Sequence, residues 1–194
     1  MKKLLFIFMA VALVGTAKAQ SEFSIGPKVG FNITNISHAD GSKNKPSIFF
    51  GGFAQYKFND KWAIQPELLY SRQGYRVKED GDKAKLRMNY LNLPILAKYY
   101  IADGFSVEAG PQLGFLLNGK VKSDIDGVET KVKFKEGNGV DLSLAVGLGY
   151  EFNNGLLLSA RYNFGLTNAI DKDFVDTANK NHVFQVSVGW KFGL

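Results

Sequence analysis

Nine charged residues stand at alternate positions in stretches whose other positions are apolar: Lys28, Lys57, Glu67, Lys98, Glu108, Asp141, Glu151, Arg161 and Lys191. Five are basic and four acidic, so the set nearly neutralises itself. Away from water such groups must pair, because an unpaired buried charge costs several kcal/mol. Gln65, Asn92, Gln112, Asn163 and Gln185 follow the same alternation and add hydrogen-bonding groups. The pattern predicts a salt-bridged polar filling rather than a reaction centre. Glu67, Arg161 and Lys28 fall near mid-strand in it. Lys57, Lys98, Glu108, Glu151 and Lys191 fall toward one end. A gated ion path is the functional alternative.

Other chemistry is sparse. The chain has no cysteine, which excludes a disulfide framework, a thiolate metal site and a cysteine nucleophile. Its two histidines, His38 and His182, are far apart in sequence and carry no recognisable nucleophile or metal-ligand spacing. No enzymatic centre, metal or cofactor is expected. Lys120, Lys122, Lys131, Lys133 and Lys135 alternate with apolar or small residues around Asp126-Gly127. That segment predicts a β-hairpin whose charge suits the phosphates of lipopolysaccharide. Asp171, Asp173 and Asp176 make a later segment acidic, in a spacing that is not that of a calcium-binding EF-hand loop.

These residues need elements to hold them. Residues 1–19 read as a secretory signal peptide: Lys2 and Lys3, an apolar run from Leu4 to Val14, then Ala17-Lys18-Ala19. Its removal takes three lysines and lowers the formal charge from +6 to +3. With no basic helical stripe left, a nucleic-acid partner is not expected. Residues 20–194 then form one domain. Period-2 alternation predicts eight strands: 23–34, 47–58, 62–74, 89–100, 105–118, 140–152, 156–167 and 182–192. Short turns at Asn59-Asp60-Lys61, Ala102-Asp103-Gly104 and Asn153-Asn154-Gly155 alternate with long connections over 35–46, 75–88, 119–139 and 168–181.

The two faces of these strands differ. One carries Trp62, Ile64, Leu68, Leu142, Leu144, Val146, Val186 and Val188 and has a single charge, Arg72, near the end of its strand. The other carries the nine charged residues. A soluble barrel would bury the apolar face, whereas a membrane barrel turns it to lipid. The expected fold is therefore an all-β, eight-stranded antiparallel up-and-down transmembrane β-barrel in the cell outer membrane. Tyr56, Phe58, Trp62, Tyr99, Phe105, Tyr150, Phe152, Trp190 and Phe192 lie beside the short turns, as an aromatic girdle at one interface would. Phe49 and Phe53 break the pattern by landing on the charged face. They either cap the lumen or mark a bulge that shifts register.

Four stretches carry a family resemblance: Gln65-Pro66-Glu67-Leu68-Leu69-Tyr70-Ser71, Tyr90-Leu91-Asn92-Leu93-Pro94, Gly147-Leu148-Gly149-Tyr150-Glu151-Phe152 and Arg161-Tyr162 with Gly165-Leu166-Thr167-Asn168. Residues 20–194 resemble the outer-membrane β-barrel domain family of Bacteroidetes type, which includes PorT-like proteins. The resemblance implies a small barrel similar to OmpA and OmpX. It also implies structural or interaction roles: surface adhesion, envelope integrity, or part of a secretion machine. The closing Gly189-Trp190-Lys191-Phe192 is similar to the signal read by the barrel-assembly machinery, which the resemblance makes a partner during insertion. Outer-membrane lipid, lipopolysaccharide and a protein partner at the long loops complete the expected contacts. A narrow channel and a soluble periplasmic lipid-binding barrel are the competing readings.

Overall fold

The computed structural model describes residues 22–36, 42–43, 45–73, 76–79, 82–125, 128–135, 140–168 and 180–193. The expected signal peptide, His38, Asp171, Asp173 and Asp176 lie outside them. The strands are β1 (Glu22–Ile36), β2 (Ser42–Lys43), β3 (Lys45–Lys57), β4 (Trp62–Gln73), β5 (Arg76–Glu79) and β6 (Asp82–Ala102). They continue with β7 (Phe105–Ile125), β8 (Val128–Lys135), β9 (Val140–Glu151), β10 (Leu156–Asn168), β11 (Lys180–Trp190) and β12 (Phe192–Gly193).

Eight of them form a closed antiparallel ring in the order β1, β3, β4, β6, β7, β9, β10, β11 and back to β1. Each stave therefore pairs with its neighbours in sequence, and β1 with β11 completes the barrel. Closure removes the sheet edge whose free N–H and C=O groups hydrocarbon could not satisfy. The remaining strands are appendages: β2 pairs with β5, β5 with β6, β8 with β7, and β12 with β1.

The short turns form where the sequence places them. Asn59 Oδ1 accepts the backbone N–H groups of Lys61 and Trp62, both at 2.9 Å, which folds the β3–β4 turn. Gly104 takes φ 72° in the Asp103-Gly104 turn between β6 and β7, a left-handed value that a Cβ would strain. Turn residues thus fix register at one end, and the alternation then sets the faces.

Alternation assigns each face as the sequence implies. Phe31 is 65% exposed, Trp62 49% and Val188 45%, whereas Lys28 is 2% and Arg161 3% exposed. The outside is apolar and the inside polar. Phe49 and Phe53 point inward and are buried, and β3 keeps one register along β1 and β4. No bulge is needed, because glycine stands opposite each ring. Phe49 pairs with Gly30 and Phe53 with Gly26. A Cβ on Gly30 would lie 2.7 Å from the Phe49 ring and collide with the Val186 carbonyl oxygen.

Two expected loops are largely strand. The connection expected over 75–88 is filled by β5 and the start of β6, since Arg76-Val77-Lys78 and Lys83-Ala84-Lys85-Leu86-Arg87-Met88 also alternate. The hairpin expected after Gly119 forms from the end of β7 and β8, from Asn118–Lys135 to Ile125–Val128. A register shift opposite Asn89/Tyr90 leaves Leu117 as an extra residue on β7. Phe115-Leu116-Leu117, three apolar residues in a row, is its sequence signal.

Gly30→Val is expected to disrupt closure, because the new side chain meets backbone on one side and an aromatic ring on the other. The cost should reach at least the roughly 1–3 kcal/mol of an overpacked core. Loss of the heat-modifiable folded band on unboiled gels checks it.

Candidate functional site: the charged lumen and its outer rim

The lumen charges lie in two layers. Lys28 on β1, Glu67 on β4, Glu108 on β7 and Arg161 on β10 make the middle one. Arg161 grips Glu67 with both terminal nitrogens, each at 3.0 Å, and donates Nε–H to Glu108 Oε1 at 2.9 Å. Its second terminal nitrogen lies 2.8 Å from the same Glu108 oxygen. Lys28 donates to Glu67 Oε1 at 2.9 Å and Gln65 to the same oxygen at 2.7 Å. Two cations and two carboxylates neutralise one another across the barrel axis. All four side chains are buried.

The second layer lies toward the short turns and uses the other four staves. Glu151 on β9 accepts from Lys98 on β6 at 2.7 Å, from Lys191 after β11 at 2.8 Å and from Gln55 on β3 at 2.7 Å. The Tyr100 hydroxyl donates to the same carboxylate. Gln65 joins the layers: its carbonyl accepts from Lys98 at 3.2 Å while its amide donates to Glu67. Tilted staves bring inward residues of alternate strands to one height, which is why each layer draws on every other stave.

Two of the nine residues stand outside these ion pairs. Lys57 holds its ammonium 4.9 Å from the centre of the Tyr100 ring, a cation–π contact. Asp141 sits at the loop end, where it contacts the Tyr90 hydroxyl. Alternation from Lys98 puts Tyr100 on the inner face, so the fourth donor to Glu151 is visible in the sequence as a position but not as a partner.

At the loop end Asn92, Gln112 and Asn163 each keep a buried polar atom without a protein partner. All three line a cavity of about 20 Å³. That volume suits one water molecule. Below it the ionic layers fill the bore. Among the described residues no group of acidic, histidine or cysteine side chains could hold a metal ion. His182 lies against the rings of Tyr162 and Phe164, at centroid distances of 6.0 and 6.4 Å.

The nine expected girdle residues all lie near the short-turn end and are exposed or half-exposed. Six of them pack as pairs, Trp62–Tyr99 at 4.8 Å, Tyr56–Phe58 at 5.0 Å and Tyr150–Phe152 at 4.7 Å between ring centres. Lys120 is exposed at the opposite rim. By register Lys133 pairs with Lys120, Lys122 and Lys131 pair above it, and Lys135 pairs with Asn118 on the barrel side.

Glu67→Gln removes the charge that answers both Lys28 and Arg161. It is expected to cost about 3–5 kcal/mol, the penalty for stranding a buried cation. Adding Arg161→Gln should cost less than the sum of the two single changes. Urea unfolding in lipid vesicles measures this cycle, and strict additivity would show that the two side chains do not act together.

No curated protein sequence matches the chain. Several solved structures are similar to it. The attachment invasion locus protein Ail of Yersinia pestis, solved with the heparin analogue sucrose octasulfate, aligns with TM-score 0.54 and 16% identity, covering 88% of this chain and 99% of Ail. Neisserial surface protein A aligns with TM-score 0.50 and 13% identity, covering 89% and 98%. CarO of Acinetobacter baumannii aligns with TM-score 0.50 and 12% identity, covering 85% and 97%. At these identities the likeness is one of fold, and it is the same closed barrel. The family profile described as "Outer membrane protein beta-barrel domain" matches residues 18–171. This chain belongs to the outer membrane protein β-barrel domain family.

Proposed function

We propose that the chain is a non-conducting outer-membrane barrel that serves as a structural and interaction protein. In this reading the barrel anchors an external β-sheet. The observation that carries it is the Lys28–Glu67–Arg161–Glu108 cluster, which spans the lumen with all four charges paired. An ion crossing there would have to part a two-pronged Arg161–Glu67 contact in a site without bulk water. A soluble lipid carrier needs an apolar lumen, and this one is lined by Lys28, Glu67, Lys98 and Arg161.

The strands support an external role. β6 and β7 each have 21 residues, whereas a tilted stave crosses the hydrocarbon with roughly 9–11. Roughly half of each strand therefore continues past the membrane on the loop side. Surface adhesion or envelope integrity would use that extension directly. A PorT-like secretion component of Bacteroidetes type would use it to hold a protein partner. Residues 1–19 would direct export and be cleaved in its course, and insertion would follow handover to the barrel-assembly machinery.

Purified protein in planar bilayers is expected to give no discrete conductance steps at voltages that leave the bilayer intact. Reproducible unitary currents would replace this reading with the channel. Mass spectrometry of protein from the outer-membrane fraction should find Gln20 at the N-terminus. An intact Met1 would overturn the cleavage.

A further inference from the structure

The external sheet is sided by charge, and the pairing register shows how. Lys43 on β2 pairs with Arg76 on β5, Arg76 with Lys85 on β6, Lys85 with Lys122 on β7, and Lys122 with Lys131 on β8. Directly paired residues of an antiparallel ladder share one face. Five cations therefore form an unbroken row across five strands. The next row toward the membrane is Arg87, Lys120 and Lys133. The row beyond the five, Lys78, Lys83, Asp124 and Glu129, is balanced. The opposite face takes Ala84, Leu86, Val121, Val132 and Phe134.

This basic face continues the lipid-facing side of the barrel. On β6 it shares its alternation with Ile95, which is 48% exposed, and with Leu91. On β7 the extra residue at Leu117 moves the outward face from odd to even positions. Lys120 and Lys122 join the row only because of that shift. Arg87 stands four residues past Leu91, roughly 14 Å along the strand. Because staves tilt, that is less in height, close to the depth of the interfacial zone above the hydrocarbon.

Like charges directly opposite one another destabilise a sheet pair. Anions between the members of such a row would relieve that repulsion. Its length, about 19 Å at ordinary strand spacing, exceeds a single small anion. We infer that this face binds the phosphate groups of lipopolysaccharide in the outer leaflet, with Lys43, Arg76, Lys85, Lys122 and Lys131 as the main row and Arg87, Lys120 and Lys133 beneath it. The inference rests on the loop side facing outward, as in the proposed function. It extends the binding surface from the β7–β8 hairpin to three further strands. The lipid is favoured over a free polysaccharide because the cations begin where the apolar belt ends.

The test uses the mature protein in zwitterionic micelles, titrated with bisphosphorylated lipid A, its dephosphorylated form, inorganic phosphate and a sulfated oligosaccharide. Bisphosphorylated lipid A should bind best, and its binding should weaken steeply with salt. Lys85→Gln, Lys122→Gln and Lys131→Gln together should weaken it about ten- to a hundredfold, as losing three cations near an anionic surface implies. Lys61→Gln, at a short turn on the other end, should bind as the unaltered protein does. If the triple variant loses its folded gel mobility, the pair Lys131→Gln and Lys133→Gln on the outer strand β8 replaces it, with a smaller loss expected. Equal binding by a folded variant, equal binding of dephosphorylated lipid, or tighter binding of phosphate or the sulfated sugar would each overturn the inference. Protease cleavage of whole cells near Ile125–Val128 tests orientation separately. Resistance there, with lipid A binding intact in micelles, would overturn the proposed orientation and leave the anion site standing.

Discussion

Hydrocarbon neither donates nor accepts a hydrogen bond, so a sheet that enters it has to close. That requirement governs the rest of this molecule. With eight staves the closed ring leaves a bore wide enough only for side chains. Each inward position must then suit the one across from it. Gly26 and Gly30 stand opposite Phe53 and Phe49 for this reason. Gly147 lies between Glu108 and Arg161 in the ladder, and its missing side chain leaves room for the guanidinium to cross. The abundance of glycine and phenylalanine in the sequence follows from packing large rings and long cations into a narrow tube.

The same narrowness decides how charge is held. A wide pore could solvate Lys28, Glu67, Glu108 and Arg161 separately, whereas this bore cannot. Buried pairs of this kind contribute little net stability, since desolvation offsets much of their attraction. What they do supply is discrimination. A one-residue slip of any stave would turn its charged residue to lipid and leave its partners unmatched. Because the middle layer comes from β1, β4, β7 and β10 and the lower from β3, β6, β9 and Lys191 just after β11, every stave is checked by one of the two.

Much of this is legible in the sequence because a barrel stave is a periodic object. Alternation alone separates Leu144 and Val146 from Ser143 and Ala145, and turn residues such as Asn59 and Gly104 mark where it reverses. Mid-strand positions of Glu67 and Arg161 place them at one depth. Three things escape it. Which carboxylate meets which cation depends on stave tilt, a property of the whole ring, so Lys57 lands on Tyr100 and Asp141 on Tyr90. Residues 75–88 read as a loop because charges occupy every other position, although charge on one face is compatible with strand outside the membrane. The extra residue at Leu117 is a one-position event inside an apolar run, and only pairing with β6 reveals it.

That single extra residue separates two treatments of charge in one chain. Without it, Lys120 and Lys122 would follow Gln112 and Gly114 onto the inner face of β7. There they would add two cations above a bore already neutral at mid-depth, with Asp141 the one lumen acid near them among the described residues. With it, they join Lys85, Arg87, Lys131 and Lys133 on the outer side. Inside the barrel, the middle layer sets two cations against two carboxylates because low polarity makes an unmatched charge costly. On the extension the two rows contain no acid by register among the described residues, although Asp124 and Glu129 stand only one row away. A surface selected merely for solubility would intersperse the signs, as the outermost row does. The rows nearest the membrane do not, and an external anion at that height would relieve the repulsion within such a face.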